Sequence, residues 1–577
     1  MLSSQALAQA APAVGQIAPT REEVERVPVR PETPQPPRLT VEGGIERAPC
    51  ALEGQDVSFQ INAVTFEDLQ GLAPDALRPA YEQYIGTTQP VSVICEIRDR
   101  AATILRDAGY IAAVEVPEQR IADGNVRFQV LMAKLVGVRV RGNAGNAEQT
   151  IAAYLNRLTE QPVFNRYQAE RYLLLAGDLP GYDVRLSLRS AEGARGEVIG
   201  EVAVIRQPGQ IDFNVQNYGS KDLGRFGALL RGQFYGLTGL GDRTTVALFS
   251  TLDFDEQQTL QLGHDFRVGG EGLTVSGQFT YSWADPDLGL PNIDVKARTL
   301  LATLETSYPF VRTQSANVRG AVGLDLVNQR VRFNAFPLSQ DKLRVAYLKV
   351  DMDAVDRPSL DRFGGFSGAE PRWRLAGNVQ LRQGLDIFDA TDRCFTIAGC
   401  TARGQISPSR LGADPTGLVY RAEAFGEYRP VPNITFALNV RAQYSGDPLL
   451  SFEEYSVGNY TVGRGYDPGT LLGDRGAGFQ AELRFGSIVP QAMDAFSFQP
   501  YVFMDAAWVR NNDLVQPYGP GRRNATSIGG GVRALYGDKG QFDVLIAVPL
   551  ERAGLQIDKP DPRILLSFTT KLWPWSY

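Results

Sequence analysis

The chain has 577 residues, of which 43% are hydrophobic, 21% charged and 10% aromatic, which excludes a disordered polymer and a helical membrane bundle. Its 58 basic and 65 acidic residues give a net charge of −7 with no basic block, so nucleic acid is not expected as a partner. No run approaches the roughly 18–20 apolar residues of a transmembrane helix, the single histidine, His264, excludes sites built on several, and no Gly-Lys pair offers a Walker A loop. What remains is 59 glycines, 22 tyrosines and 28 phenylalanines, a composition of strands and tight turns.

Residues 1–20 read as a residual or truncated signal region. Ser4 to Ala11 has the small residues of a cleavage site, with Ala6-Leu7-Ala8 as its centre, but the positive and apolar stretches that precede such a site are missing. Residues 21–49 read as a linker, because Pro28, Pro31, Pro34, Pro36 and Pro37 force extended backbone. Thr20 followed by Glu22 and Glu23 suits the cap of one short helix.

From Val57 to Gln207 the texture is mixed α/β and repeats itself. The first unit, 50–131, has a strand over Val57–Phe66, helices near Ala73–Ile85 and Glu96–Ala108, then strands at Ala112–Val116 and Asn125–Val130. The second, 132–207, has a strand at Leu135–Arg141, helices near Glu148–Leu158 and Arg166–Leu175, then strands at Val184–Leu188 and Val198–Ile205. Each is β-α-α-β-β, so the region is a duplication of one small domain.

Over 209–577 the helical period gives way to strict alternation. Leu273, Val275, Phe279, Tyr281 and Trp283 alternate with polar residues, as do Ile434, Phe436, Leu438, Val440 and Tyr444. The segments run about 10–14 residues, longer than a typical soluble strand and suited to a tilted membrane-spanning one. Aromatics gather at their ends: Trp283, Tyr444 and Trp508 at one set, Tyr308, Tyr428 and Tyr536 at the other. Sixteen segments are expected, starting near residues 210, 225, 243, 257, 272, 296, 315, 341, 371, 417, 433, 475, 498, 525, 541 and 562. An even count returns both termini to one side. The connection Asp356–Pro371 is long for a turn on that side.

The long connection 446–474, between segments eleven and twelve, contains Gly463-Arg464-Gly465-Tyr466, a glycine-rich turn around one fixed cation. Its glycine spacing does not make a dinucleotide fingerprint. In segment thirteen Phe498, Val502, Met504, Ala506 and Trp508 share the apolar parity, which places Gln499, Tyr501, Phe503, Asp505 and Ala507 towards the lumen. A mid-strand Asp505 facing lipid would be too costly. His264, on a strand with Leu260, Leu262 and Phe266, receives no role.

Together these features resemble the two-partner secretion transporters (TpsB; the ShlB/FhaC/HecB-like haemolysin secretion/activation proteins), within the outer-membrane insertase superfamily. That superfamily places POTRA domains before a 16-stranded barrel and folds a sixth loop, tipped by V-R-G-[YF], back into the lumen. Here Arg464-Gly465-Tyr466 matches, with Gly463 in place of the valine and Val462 one residue earlier; Phe503-Met504-Asp505 matches the family's F-x-D on the thirteenth strand. The resemblance spans about 50–577. It implies a membrane β-barrel of 16 antiparallel strands preceded by two small α/β POTRA domains, in the outer membrane of a Gram-negative bacterium with those domains in the periplasm. It implies export of a partner exoprotein that carries an N-terminal secretion domain, with the POTRA domains capturing the unfolded chain. The alternative is an insertase that assembles other barrels. The family's plug helix is expected to be short at best. No catalytic residue, cofactor or metal is expected, and the barrel is expected to be monomeric, to contact outer-membrane lipid, and to depend on periplasmic chaperones and the barrel-assembly machinery for its own insertion.

Four cysteines, Cys50, Cys95, Cys394 and Cys400, form no CxxC pair; an even number in an exported protein favours disulfides. Cys394–Cys400 would close a small loop and Cys50–Cys95 would tie the linker's end to the first POTRA domain. The rival readings are free buried cysteines and one shared zinc site, for which the spacing is unsuited.

Overall fold

A computed structural model describes residues 18–25, 39–41 and 50–574, apart from 51, 53, 122, 143–144, 192–193, 288–292, 493, 513–522 and 555–557. The expected cleavage region and the five linker prolines lie outside the described residues.

The two α/β units share one topology. In the first, Ala63–Glu67 runs parallel to Asn125–Met132, which is antiparallel to Ala112–Glu115 on its other side. In the second, Lys134–Gly142 is parallel to Glu197–Arg206, and Tyr182–Ser190 is antiparallel to it. Each sheet alternates: Val126, Phe128 and Val130 point into the first core, and Val184, Leu186, Leu188, Val202 and Val204 into the second. Helices Val93–Asp107 in the first unit, and Glu148–Thr159 and Arg166–Gly177 in the second, cover those faces.

Three expectations change in the soluble region. The helix expected over Ala73–Ile85 forms instead as 3₁₀ turns, Pro74–Ala80 and Glu82–Tyr84, because Pro79 removes the donor an α-helix needs in its interior. The strand expected over Val57–Phe66 splits into Ser58–Gln60 and Ala63–Glu67, with the fully buried Ile61 bridging to Ile85 between them. Leu39–Val41, expected as linker, pairs in parallel with Leu186–Leu188 at the edge of the second sheet.

Beyond Gly209 sixteen strands close into a barrel, each antiparallel to its neighbours, the first (Gly209–Gln216) meeting the last (Arg563–Trp573). Strand starts follow the alternation closely. The largest difference is the eighth, Phe336–Val355, which begins before residue 341 because Asn334 at φ 51° lets the chain turn tightly after the seventh, Ala316–Phe333. The long connection after the eighth strand does exist, and Asp356 caps its single helical turn, Arg357–Leu360.

Parity decides what each strand presents. On the thirteenth strand, Phe496–Arg510, the side chains of Phe498, Val502, Met504 and Trp508 are exposed to the outside, while Gln499, Tyr501, Phe503, Asp505 and Ala507 are buried in the lumen. The second α/β unit sits against the rim at which the first strand begins. Arg312 clamps Asp178 through two bonds of 2.6 and 2.7 Å, and the Arg171 guanidinium donates to the Pro309 carbonyl at 3.0 Å. His264 lies on the wall, 3.0 Å from the Thr244 hydroxyl.

Candidate functional site

The connection after the eleventh strand (Ile434–Ser445) turns into the barrel rather than out of it. It forms a small hairpin, Tyr455–Val457 against Leu471–Gly473, whose Val457, Val462 and Tyr466 are fully buried and pack with Ala507, Val509 and Ala525 of the wall. Gly463 adopts φ 110°, a conformation that disfavours any side chain, and so permits the turn that aims Arg464 at the wall. A Cβ on Gly465 would come 2.9 Å from Ser527 Cβ and 3.0 Å from the Pro549 nitrogen, so glycine is what allows the close approach.

Arg464 meets Asp505. Its backbone N–H and Nε donate to Asp505 Oδ2 at 2.9 and 3.0 Å, and Nη2 donates to Oδ1 at 2.6 Å. The guanidinium lies 3.7 Å from the Phe503 ring centroid, a cation–π contact within the same motif. Asp505 is 0% and Arg464 7% exposed, so this is a dry pair, and removing one member leaves the other buried and uncompensated. The Tyr466 hydroxyl donates to the Glu551 carbonyl at 2.8 Å, and the Gly465 N–H donates to the Ser527 hydroxyl at 3.3 Å.

Sequence reasoning did not include the rest of the cluster. Arg464 Nη1 also donates to Glu482 Oε1 at 2.5 Å; Glu482 lies on the twelfth strand, Arg475–Phe485. Glu482 in turn accepts two bonds of 2.9 Å from Arg533 and one of 2.7 Å from Arg484. Arg533 lies 4.2 Å from the Tyr501 ring centroid and reaches Asp543 at 3.1 Å. The usable signal was parity, since charges in mid-strand belong to the lumen. The fourteenth strand, Asn524–Tyr536, carries Gly529 and Gly531 where Phe503 and Tyr501 lie across it: a Cβ would fall 2.5 Å from the Phe503 ring and 2.9 Å from that of Tyr501.

A second inclusion in the lumen comes from the N-terminal region. Arg21–Val24 is a single helical turn with Thr20 as its cap: Thr20 Oγ1 accepts from Glu23 N, and the Glu23 carboxylate accepts from Thr20 N. So short a helix does not hold by itself. Burial and ion pairs hold it here. Val24 packs with Leu301, Val327, Leu343 and Phe452. Arg21 reaches Asp325 at 3.1 Å and Glu453 at 2.6 Å, Glu22 pairs with Arg441 at 3.2 Å, and Gln261 and Gln329 of the wall donate to the Val24 and Pro19 carbonyls. The short helix expected after Thr20 forms at the start of the linker, while the reading of 1–20 as a signal remnant is corrected at its end: residues 18–25 fill part of the pore, as a plug of one turn.

Glu453, on the inward-folded connection, is the meeting point. It accepts from Arg21 of the plug, from Arg382 on the ninth strand (Trp373–Gly384) and from Arg421 on the tenth (Leu418–Val431). Burial alone would raise its carboxyl, but Arg382, Arg21 and Arg421 hold it well below the ordinary carboxylate range.

A family model for the haemolysin secretion/activation protein ShlB/FhaC/HecB matches residues 202–534. The chain belongs to this family. A model of the ShlB-type POTRA domain matches residues 59–132, the first α/β unit. No curated protein matches the sequence. Among solved structures, CdiB from Escherichia coli is similar at TM-score 0.72 and 15% identity, covering 92% of this chain and 93% of that one. CdiB from Acinetobacter baumannii follows at 0.63 and 16%, covering 90% of each chain. BamA from Haemophilus ducreyi lacking POTRA domains 1–3 reaches 0.52 at 14%, covering 89% of this chain and 100% of that one. At such identities the structures establish a shared fold.

As a ShlB/FhaC/HecB family member the chain is an outer-membrane protein, and the family implies a secreted exoprotein as its partner. In this member the cysteines stand apart from the lumen. Cys50 is bonded to Cys95 in the POTRA domain's long helix, and Cys394 to Cys400 around the short helix Ile397–Ala402 in the connection between strands nine and ten. With all four in disulfides, no thiol is left for a shared zinc site.

Proposed function

We propose that this family member exports an exoprotein in extended form from the periplasm to the cell surface, through its own barrel. Its two α/β units stand in the periplasm and receive the chain. The observation that carries this reading is the nature of what fills the pore: a four-residue helix and a folded-in connection, both held by side-chain ion pairs and small apolar contacts. Neither is part of the wall's strand ladder, so both can leave without unpairing the barrel. Arg464, Gly465 and Tyr466 with Phe503 and Asp505 position the connection, and no bond-making chemistry is assigned to them. The lumenal wall carries charged and amide side chains that an extended polypeptide can slide past. With no nucleotide loop in the sequence, folding of the exoprotein outside supplies the direction.

The test compares export of the exoprotein by the full chain with export by residues 209–577 alone, both verified as inserted. Strong loss with the barrel alone supports capture by the α/β units; undiminished export refutes it. Depletion separates export from insertase work. An insertase's loss would lower the assembly of many other outer-membrane barrels, whereas loss of this chain is expected to strand only the exoprotein.

A further inference from the structure

The outer face of the barrel wall is not evenly convex. Over strands nine to thirteen, at the end nearer the α/β units, it holds an open groove of about 770 Å³. Strand register accounts for its shape. Trp373, Tyr428 and Phe436 stand side by side on strands nine, ten and eleven and form an aromatic border towards the rim. One pleat further from the rim, Gly426 pairs with Leu375 on one side and Leu438 on the other, and Ala481 stands between Leu438 and Met504. Two positions with little or no side chain thus lie among three large exposed ones. Five strands at about 4.8 Å spacing make the floor about 19 Å wide, room for more than one hydrocarbon chain.

Hydrocarbon alone would cover an apolar wall; the mouth of this groove is polar. The connection 356–372, between strands eight and nine, runs along that mouth. A Cβ on its Gly365 would lie 3.2 Å from Pro432, in the turn between strands ten and eleven. Its Glu370 accepts from the Ser487 hydroxyl at 2.6 Å and the Ile488 N–H at 2.9 Å, in the turn between strands twelve and thirteen. So fixed, the connection presents three exposed arginines, Arg357, Arg362 and Arg372, against one exposed carboxylate, Asp361, because Asp356 and Glu370 are drawn into hydrogen bonds. Arg372 adjoins Trp373 of the aromatic border. Phe363, next to Arg362, is 75% exposed. A bare ring beside guanidinium groups at the end of a membrane wall suits the boundary between acyl chains and headgroups.

We propose that this groove binds an anionic phospholipid, its acyl chains over Gly426 and Ala481 and its phosphate held by Arg362 and Arg372. The leaflet is the one on the side of the α/β units, which is the periplasmic leaflet if the placement of those units under the export reading holds. Charge sets the class: a zwitterionic headgroup brings a cation of its own beside the arginines, whereas a phosphatidylglycerol-type headgroup brings only the phosphate. Arg357 of the same connection lies 5.9 Å from the Tyr167 ring in the second α/β unit, so a headgroup bound here joins the membrane surface to that unit.

The test measures lipid retained by the full chain after release from detergent micelles, by native mass spectrometry, with phosphatidylglycerol and phosphatidylcholine of identical acyl chains as probes. Each arginine at an anionic surface contributes about fivefold, so R362Q/R372Q is expected to weaken phosphatidylglycerol about twenty-fivefold and to leave phosphatidylcholine within about twofold. Gly426→Leu fills the groove without touching the arginines and is expected to weaken both lipids. Heat-modifiable mobility confirms the barrel in each variant. Excess glycerol 3-phosphate is expected to leave the lipid in place; displacement would give the arginines to a free phosphate and overturn the membrane source. Equal retention of the two lipids by the parent, or parent-like retention in either variant, overturns the site. A dimer that Gly426→Leu dissolves would assign the groove to a second copy and overturn it as well. No arm requires export, so failure here leaves the export reading standing, and failure of export leaves this site standing.

Discussion

Replacing Arg464 by alanine removes every side-chain bond that Asp505 receives from the inward-folded connection. What remains for a carboxylate that is 0% exposed is two neutral donors, the backbone N–H of residue 464 at 2.9 Å and the Ser527 hydroxyl at 3.4 Å, with no cation. Glu482 fares differently, because Arg533 and Arg484 still hold it. The cost is therefore that of one buried, uncompensated charge, about 3–5 kcal/mol, against the 0–1 kcal/mol or so of a solvated pair. At about 1.4 kcal/mol per tenfold, the docked connection loses roughly two to three and a half orders of magnitude in population relative to the undocked one. A cysteine at Val462, buried when docked and the only free thiol in the chain, reports this as maleimide labelling. Labelling is expected to be slow in the parent and fast with Arg464→Ala, while heat-modifiable mobility shows an intact barrel and export falls. Asp505→Asn added to Arg464→Ala removes the stranded charge and is expected to restore at least half of the lost protection. Strictly additive effects of the two substitutions, or unchanged labelling in the single variant, would refute the reasoning.

Arg21→Glu brings a third negative charge beside Asp325 and Glu453, and is expected to expel the plug and raise conductance in planar bilayers; parent-like conductance would count against the plug. The Glu256 carboxyl, in the connection between strands three and four, is pushed up to about 7 by burial and by its bond with Asp253. Its stabilising contribution is full below the ordinary 4.5 and lost as pH rises through about 7, so amide exchange around Phe254 should show a step over that interval that Glu256→Gln removes. The disulfides differ in loop length: on chain-entropy grounds removing Cys50–Cys95, separated by 45 residues, costs about 4 kcal/mol, and removing Cys394–Cys400, separated by 6, about 2.4 kcal/mol. Thermal unfolding of paired alanine variants should rank them so. Gly529→Val forces a side chain onto the Ile546 carbonyl and the Phe503 ring, and should lower barrel assembly, read as loss of the heat-modifiable band.

Much of the barrel was legible because a strand with one face to lipid and one to the lumen has to alternate, and Asp505 in mid-strand then had only one tolerable direction. Arg464 stood out because the glycines around it mark a tight turn that fixes one cation. The Thr20 cap signalled a short helix, but its place in the lumen was hidden for the opposite reason. Four helical residues are too few for a period, and their partners Asp325, Arg441 and Glu453 lie hundreds of residues away. Leu39–Val41 reads as linker because only pairing with Leu186–Leu188 makes it a strand. The 3₁₀ turns at 74–84 misled through helical spacing that Pro79 cannot support. Glu482 and Arg533 were visible by parity, but nothing in the sequence said which lumenal charges would meet.

The three arginines around Glu453 have a consequence for how the pore opens. One carboxylate bonds to the plug through Arg21 and to the wall through Arg382 and Arg421, while belonging to the inward-folded connection itself. Two movable bodies thus share a single anchoring group, and their departures are thermodynamically linked. Reciprocity then requires that departure of the plug weakens the hold on the connection by the same coupling free energy as departure of the connection weakens the hold on the plug. Loss of the Arg21 bond at the N-terminal side is therefore expected to loosen the connection at Glu453 without any strand of the barrel having to move.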